Sequence, residues 1–117
     1  MATIKIKNLR LRTLIGIEPH ELKNEQDIII NIKIKYDYQK ASQSDNIDDT
    51  VNYKELKQSI IKHIQSNHFL LVEKLVSSIL DLIMEDTRIQ QAKVEIDKPH
   101  ALRFCDSVSV TEKRTRT

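Results

Sequence analysis

Lys98 stands near the end of the stretch KVEIDKPH, residues 93–100. The apolar residues before it alternate at Ala92, Val94 and Ile96, and Lys98 is next in the same phase. An ammonium group therefore stands where the pattern calls for a buried side chain. Three more polar side chains sit oddly against their surroundings. Glu21 lies in the first connection, Tyr53 opens a helical pattern, and Glu73 interrupts the apolar run FLLVEKLV. Each alone also fits an ordinary role: a solvated loop acid, a core tyrosine, a first-turn acid favoured by the helix dipole, a strand-end lysine reaching for water. As a set they supply two carboxylates, a phenol and an amine from four separate segments. Those groups suit proton transfer and the grip of a ligand rich in N–H donors. They do not suit a metal. His20, His63, His68 and His100 form no H-x-H or H-x-x-x-H pair, and Cys105 has only His100 near it in sequence. With a single glycine, no P-loop, GxGxxG or GxSxG can be built.

The elements that must position these groups can be read from periodicity. Residues 3–14, TIKIKNLRLRTL, alternate apolar and charged, but Ile4 and Ile6 share one parity and Leu9 and Leu11 the other. That predicts a strand with a β-bulge at Lys7–Asn8. Residues 27–38 alternate over a longer span, with Ile28, Ile30, Ile32, Ile34, Tyr36 and Tyr38 facing one way. The connection between them holds Gly16 and Pro19. With Pro99, these are the positions where backbone geometry can be special. Residues 42–50 read as a polar loop. Tyr53, Leu56, Ile60 and Ile64 then show helical spacing, and Asn52 followed by Glu55 resembles a capping box. A second helix is predicted in LLVEKLVSSILDLIM, from Leu71, Val72, Leu75, Val76, Ile79 and Ile83. Residues 91–98 and about 105–112 read as two further strands.

The order ββααββ predicts an α+β fold: four antiparallel strands with two helices on one face. The opposite face would carry Lys33, Lys35, Lys93, Glu95 and Asp97. A strand as long as 27–38, in an open sheet with long edges, invites pairing with another chain, and an oligomer closed through its edges would satisfy it.

Length and composition bound the rest. The 117 residues suit one domain, 1–117. A net charge of +2, from 19 basic and 17 acidic side chains, gives no footprint for nucleic acid. Aromatics at 4% without tryptophan make no stacking platform for single strands. The basic ending EKRTRT reads as a solvated terminus. No apolar run is long enough to span a membrane, and MATIKIKN lacks a signal-peptide core. With one cysteine and hence no internal disulfide, the expectation is a cytoplasmic protein.

DDTVNYKEL, LLVEKL and VEIDKPHALR together resemble the dihydroneopterin aldolase family, and the likeness runs from IKIKNLRLRT to DSVSV. Within it, KNLRLRTLIGI, EQDIIIN, DKPHALR and DSVSV are similar to the dihydroneopterin triphosphate 2'-epimerase branch. The aldolases carry a Tyr-Gly-Tyr-His-Gly-type segment where this chain has Arg12-Thr13-Leu14-Ile15-Gly16. The resemblance implies the tunnelling fold (T-fold), in which subunits join their sheets into a barrel, commonly an octamer of two tetrameric rings with sites between subunits. It implies that Lys98 is the catalytic lysine, with Glu21 acting beside it, often from a neighbouring subunit, and Tyr53 as the active-site tyrosine. It implies that Glu73 anchors the pterin, aided by the backbone of Val72. For the triphosphate, the candidates are Arg103, His100 and Arg12. No cofactor and no metal is implied.

The expected reaction is epimerisation at C2' of dihydroneopterin triphosphate to dihydromonapterin triphosphate. The alternative within the family is a dihydroneopterin aldolase releasing glycolaldehyde. The alternative from another class is a non-catalytic assembly module that uses its sheet edges.

Overall fold

The computed structural model describes all 117 residues. Alternating isoleucine and charge builds the sheet. β1 (Ala2–Thr13) and β2 (Gln26–Tyr36) pair antiparallel, and β3 (Ile89–Pro99) and β4 (Ser107–Thr115) extend the sheet in the order β1-β2-β3-β4, antiparallel throughout. In β1, Ile6 faces Ile32 and Leu9 faces Ile30, so Lys7 and Asn8 together oppose Asn31. Asn8 adopts φ 53° and donates its N–H to Asn31 Oδ1 at 2.9 Å. The parity slip read from the sequence is this bulge.

Between β2 and β3 the chain forms α1 (Gln39–Ser44), a 3-10 turn (Ile47–Asp49), α2 (Tyr53–Gln65) and α3 (Val72–Ile83). Asn52 caps α2 by accepting from the N–H groups of Lys54 and Glu55, both at 3.2 Å. Only this half of the expected capping box forms; Asn52 N–H does not reach the Glu55 carboxylate. α3 buries Leu75, Val76, Ile79, Leu80 and Ile83 on one stripe. That stripe, with Ile60 and Ile64 of α2, covers Ile28, Ile30, Ile32 and Ile34 of β2 and Ala92, Val94 and Ile96 of β3. The core is thus one layer between the two helices and one face of the sheet.

Several boundaries differ from the sequence expectation. β2 stops at Tyr36, and Tyr38 instead precedes α1. α1 lies partly in the stretch expected as loop; it buries no residue, so it left no apolar periodicity to read. Leu71 is exposed and sits just ahead of α3. Tyr53 is 63% exposed rather than part of the core stripe. β4 begins after a turn in which His100 N–H donates to Asp106 O at 3.2 Å, which carries Cys105 out of the strand.

The 27–38 strand lies inside the sheet; the free edges are β1 and β4. Only 21 of the 117 residues are buried, because the face away from the helices is bare. No helix is long and apolar enough to cross a membrane.

Candidate active site

Three polar residues hold core-phase positions at one end of the sheet. Thr13 ends β1, Gln26 begins β2 opposite it, and Lys98 stands near the end of β3. Thr13 is buried there, and Gln26 and Lys98 are half-buried. The connection from Thr13 to Gln26 folds back over this end. Its backbone is tied to the segment before α3: Ile15 bridges Phe69, and Gly16 N–H donates to Phe69 O at 3.1 Å.

Lys98 Nζ donates to Glu21 Oε2 at 2.7 Å, with side-chain exposures of 15% and 11%. The resemblance left open a glutamate from a neighbouring subunit; here both partners belong to one chain. Glu21 Oε1 accepts from Glu18 N–H at 3.2 Å, and Oε2 accepts also from Gln26 Nε2 at 3.1 Å. Gln26 Nε2 is itself fixed by Ile15 O at 2.7 Å. The hydrogen bond from Lys98 is the main cause that holds the Glu21 carboxyl at about 2, below its ordinary 4.5, against an opposing push from burial. The carboxylate is fully engaged. Lys98 has three N–H donors and spends one on Glu21, so two remain for a ligand or water.

Gly16 makes this packing possible. It adopts φ +123°, and a Cβ there would overlap the Glu21 carboxylate. Any other residue would both strain the backbone and displace the acid.

α3 begins close to the same segment, since Phe69 is bonded to Gly16 and Glu73 follows four residues later. Leu71 gives the helix no side-chain cap. The first-turn N–H groups are therefore open, beside an exposed Glu73 carboxylate that makes no ion pair. Val72 is half-buried at the first helical position.

Tyr53 is elsewhere. It lines a cavity with Ile4, Tyr36, Ile47 and Val51. Ile4 stands in the row of Ile34 and Ala92, and Lys98 lies six residues beyond Ala92 on β3. At about 3.3 Å per residue, roughly 20 Å separates those rows. Within the chain, Tyr53 does not meet Lys98.

His100 and Arg103 are exposed in the β3–β4 turn, just beyond Lys98. Arg12 lies on the opposite, bare face of the sheet, where it pairs with Asp27 at 3.3 Å and donates to Glu25 O. The largest cavity, about 750 Å³, is lined by Asn52, Glu55, Leu82, Asp86 and Arg88 among others, and contains neither Lys98 nor Glu21. No three histidine, cysteine, aspartate or glutamate side chains converge as metal ligands. Exposed apolar residues stand in the segments around the Lys98–Glu21 pair: Ile17 and Leu22 in the connection that carries Glu21, Leu70 and Leu71 ahead of α3, and Leu102 and Phe104 in the β3–β4 turn. Sequence reasoning missed Gln26, although its signal was the same as that of Lys98: a polar residue in the buried phase at a strand end.

A family model described as dihydroneopterin aldolase (FolB) matches residues 4–113. The chain is 51% identical over 110 residues to the dihydroneopterin triphosphate 2'-epimerase of Escherichia coli (strain K12), covering 94% of this chain and 92% of that one. It is 47% identical over 111 residues to the protein of the same name from Pseudomonas aeruginosa, covering 95% and 90%. The structure superposes on Escherichia coli dihydroneopterin aldolase in complex with neopterin with a TM-score of 0.91, at 25% identity, over 97% of this chain and 99% of that one. The four-stranded sheet under its helices is the T-fold, and the chain belongs to the dihydroneopterin aldolase family.

Proposed function

We propose that the protein interconverts dihydroneopterin triphosphate and dihydromonapterin triphosphate by a retro-aldol and aldol sequence. The observation that carries this reading is the enclosed Lys98–Glu21 pair, in a chain 51% identical to a relative named for that epimerisation. In this reading, Glu73 accepts two hydrogen bonds from the guanidine-like edge of the pterin, and the open N–H groups at Val72 and Glu73 serve the ring's oxygen. Once Lys98 has given up a proton to solvent, its free amine takes the proton of the 2'-hydroxyl through a bridging water. The C1'–C2' bond breaks, and its electron pair passes into the imine of the dihydropterin ring. The ring is the electron sink, so neither a lysine Schiff base nor a metal is needed. The aldehyde fragment turns over and C1' adds to its other face; the water returns the proton to the new 2'-oxygen. Glu21, ionised at any working pH, fixes Lys98 and balances its charge.

If C1' is protonated before the aldehyde turns over, the fragment escapes and the outcome is aldolase. The family match favours this as a side reaction of the same site. Tyr53 is the residue placed to help that protonation. Because it stands roughly 20 Å from Lys98 along its own sheet, it reaches the site only from a second copy. We infer that the free β1 and β4 edges join successive copies into rings, and that the assembly is an octamer. The apolar residues around the Lys98–Glu21 pair are covered on that assembly. Arg103 and His100 at the pocket mouth meet the triphosphate, Arg103 through its planar fork. Arg12 serves it only if released from Asp27.

Lys98→Ala is expected to lower kcat by about 10²–10⁴ with unchanged circular dichroism, because a positioned acid–base group is lost. Turnover close to wild type would remove Lys98 from the mechanism. Glu73→Gln and Arg103→Ala should divide the ligand between them. Glu73→Gln should weaken both dihydroneopterin and its triphosphate by about tenfold or more, since charge-assisted hydrogen bonds are worth roughly 1.5–3 kcal/mol. Arg103→Ala should weaken the triphosphate alone, and calorimetry on both ligands decides. Light scattering at micromolar protein should report an octamer; a stable monomer would overturn the shared site. Finally, Glu21 is depressed on folding from 4.5 to about 2. Its contribution to stability is therefore full above about pH 4.5 and is lost as pH falls towards 2. Wild type should exceed Glu21→Gln in stability at pH 6, with the gap closing over that window. A gap independent of pH would mean the charge of Glu21 does not matter.

A further inference from the structure

The bare face of the sheet carries a pattern that this reaction does not use. Lys5 pairs across with Lys33, Lys33 with Lys93, and Lys93 with Lys113. One lysine from every strand thus stands in a single row across the sheet. Neighbouring strands lie about 4.8 Å apart, so four ammonium groups span roughly 14 Å. All four are exposed, and none takes part in any of the protein's ion pairs. Like charges directly opposite one another destabilise paired strands, and this row contains three such oppositions. The acids on this face do not relieve it. Glu95 accepts from Thr111 at 3.1 Å, and Asp27 is held by Arg12. Asp97 lies four residues along β3 from Lys93, about 13 Å from the row. A hollow of about 170 Å³ opens at the row, lined by Lys5, Lys7, Asn31, Lys33, Lys93 and Glu95.

We propose that this row binds a multivalent phosphate anion, with several linked phosphoryl groups laid across the four strands. A linear polyanion matches a line of point charges, where a single small anion would relieve only one opposition. Lysine suits the task because each compact ammonium can turn its donors towards whichever phosphoryl oxygen is nearest. The overall charge of +2 gives no general attraction for anions, so the affinity resides in the row. The site lies on the opposite face from Lys98 and Glu21 and does not depend on the reaction they catalyse.

The test is thermal melting with inorganic tripolyphosphate at fixed protein concentration and ionic strength. Wild type should rise by about 5 °C at millimolar tripolyphosphate, by mass action on the folded state. Monophosphate at the same ionic strength should do much less. The double variant Lys33→Gln/Lys93→Gln should lose most of the gain from tripolyphosphate, while its turnover of pterin substrate stays at the wild-type level and shows that it is folded. Arg103→Ala should keep the full gain. No gain in wild type would leave the row as a solvated face and overturn the proposal. So would a gain fully retained by the double variant, or one lost in Arg103→Ala, which would place the anion at the pocket mouth.

Discussion

An ammonium and a carboxylate lie enclosed at the end of an isoleucine sheet because each neutralises the other. Alone, either would meet a large desolvation cost; removing one partner of such a pair leaves the other uncompensated. The geometry around Lys98 and Glu21 reads as the consequence. The Thr13–Gln26 connection must fold back to deliver Glu21. Gly16 must lack a side chain where the carboxylate lies against it. Gln26 and the Glu18 N–H satisfy the remaining lone pairs, so the acid is anchored and Lys98 keeps two donors free. Because Phe69 is bonded to Gly16, the start of α3 is held by the same knot, and with it Glu73.

Elsewhere the chain leaves much of its sheet uncovered. Its helices cover one face of the sheet, while the other face and both edges remain open. Tyr53 and Lys98 stand towards opposite ends of the sheet. A strand pairing that joins β1 of one copy to β4 of the next would satisfy the edge N–H and C=O groups and bring opposite ends of neighbouring copies together. In that arrangement the bare faces turn inward, and the lysine rows of successive copies lie along one wall. Electrostatic repulsion within such a wall grows with each copy added, which makes a bound polyanion more valuable to the assembly than to the isolated chain.

Much of this was legible in the sequence. Period-two alternation fixed both faces of β2 and β3, and the parity slip located the bulge to the residue pair, because a one-residue insertion must move every later side chain to the other face. The apolar stripe located α3. The same logic marked Lys98, and applied to Gln26 it would have marked that residue as well. What periodicity could not mark was α1, whose residues bury nothing, or the exposure of Tyr53 and Leu71, which hold helical spacing outside the buried stripes.

Local pattern, then, determined which residues are in phase with the core, because burial of an alternating or helical stripe is dictated by neighbours in sequence. Which in-phase polar residues meet was decided by tertiary structure alone. Glu21 and Lys98 are 77 residues apart and touch only because the first connection returns over the end of β3. Tyr53, by contrast, is separated from Lys98 by the length of its own sheet. The lysine row shows the same division: each lysine is an ordinary outward residue of its strand, and only the register of four strands turns them into a line of charge.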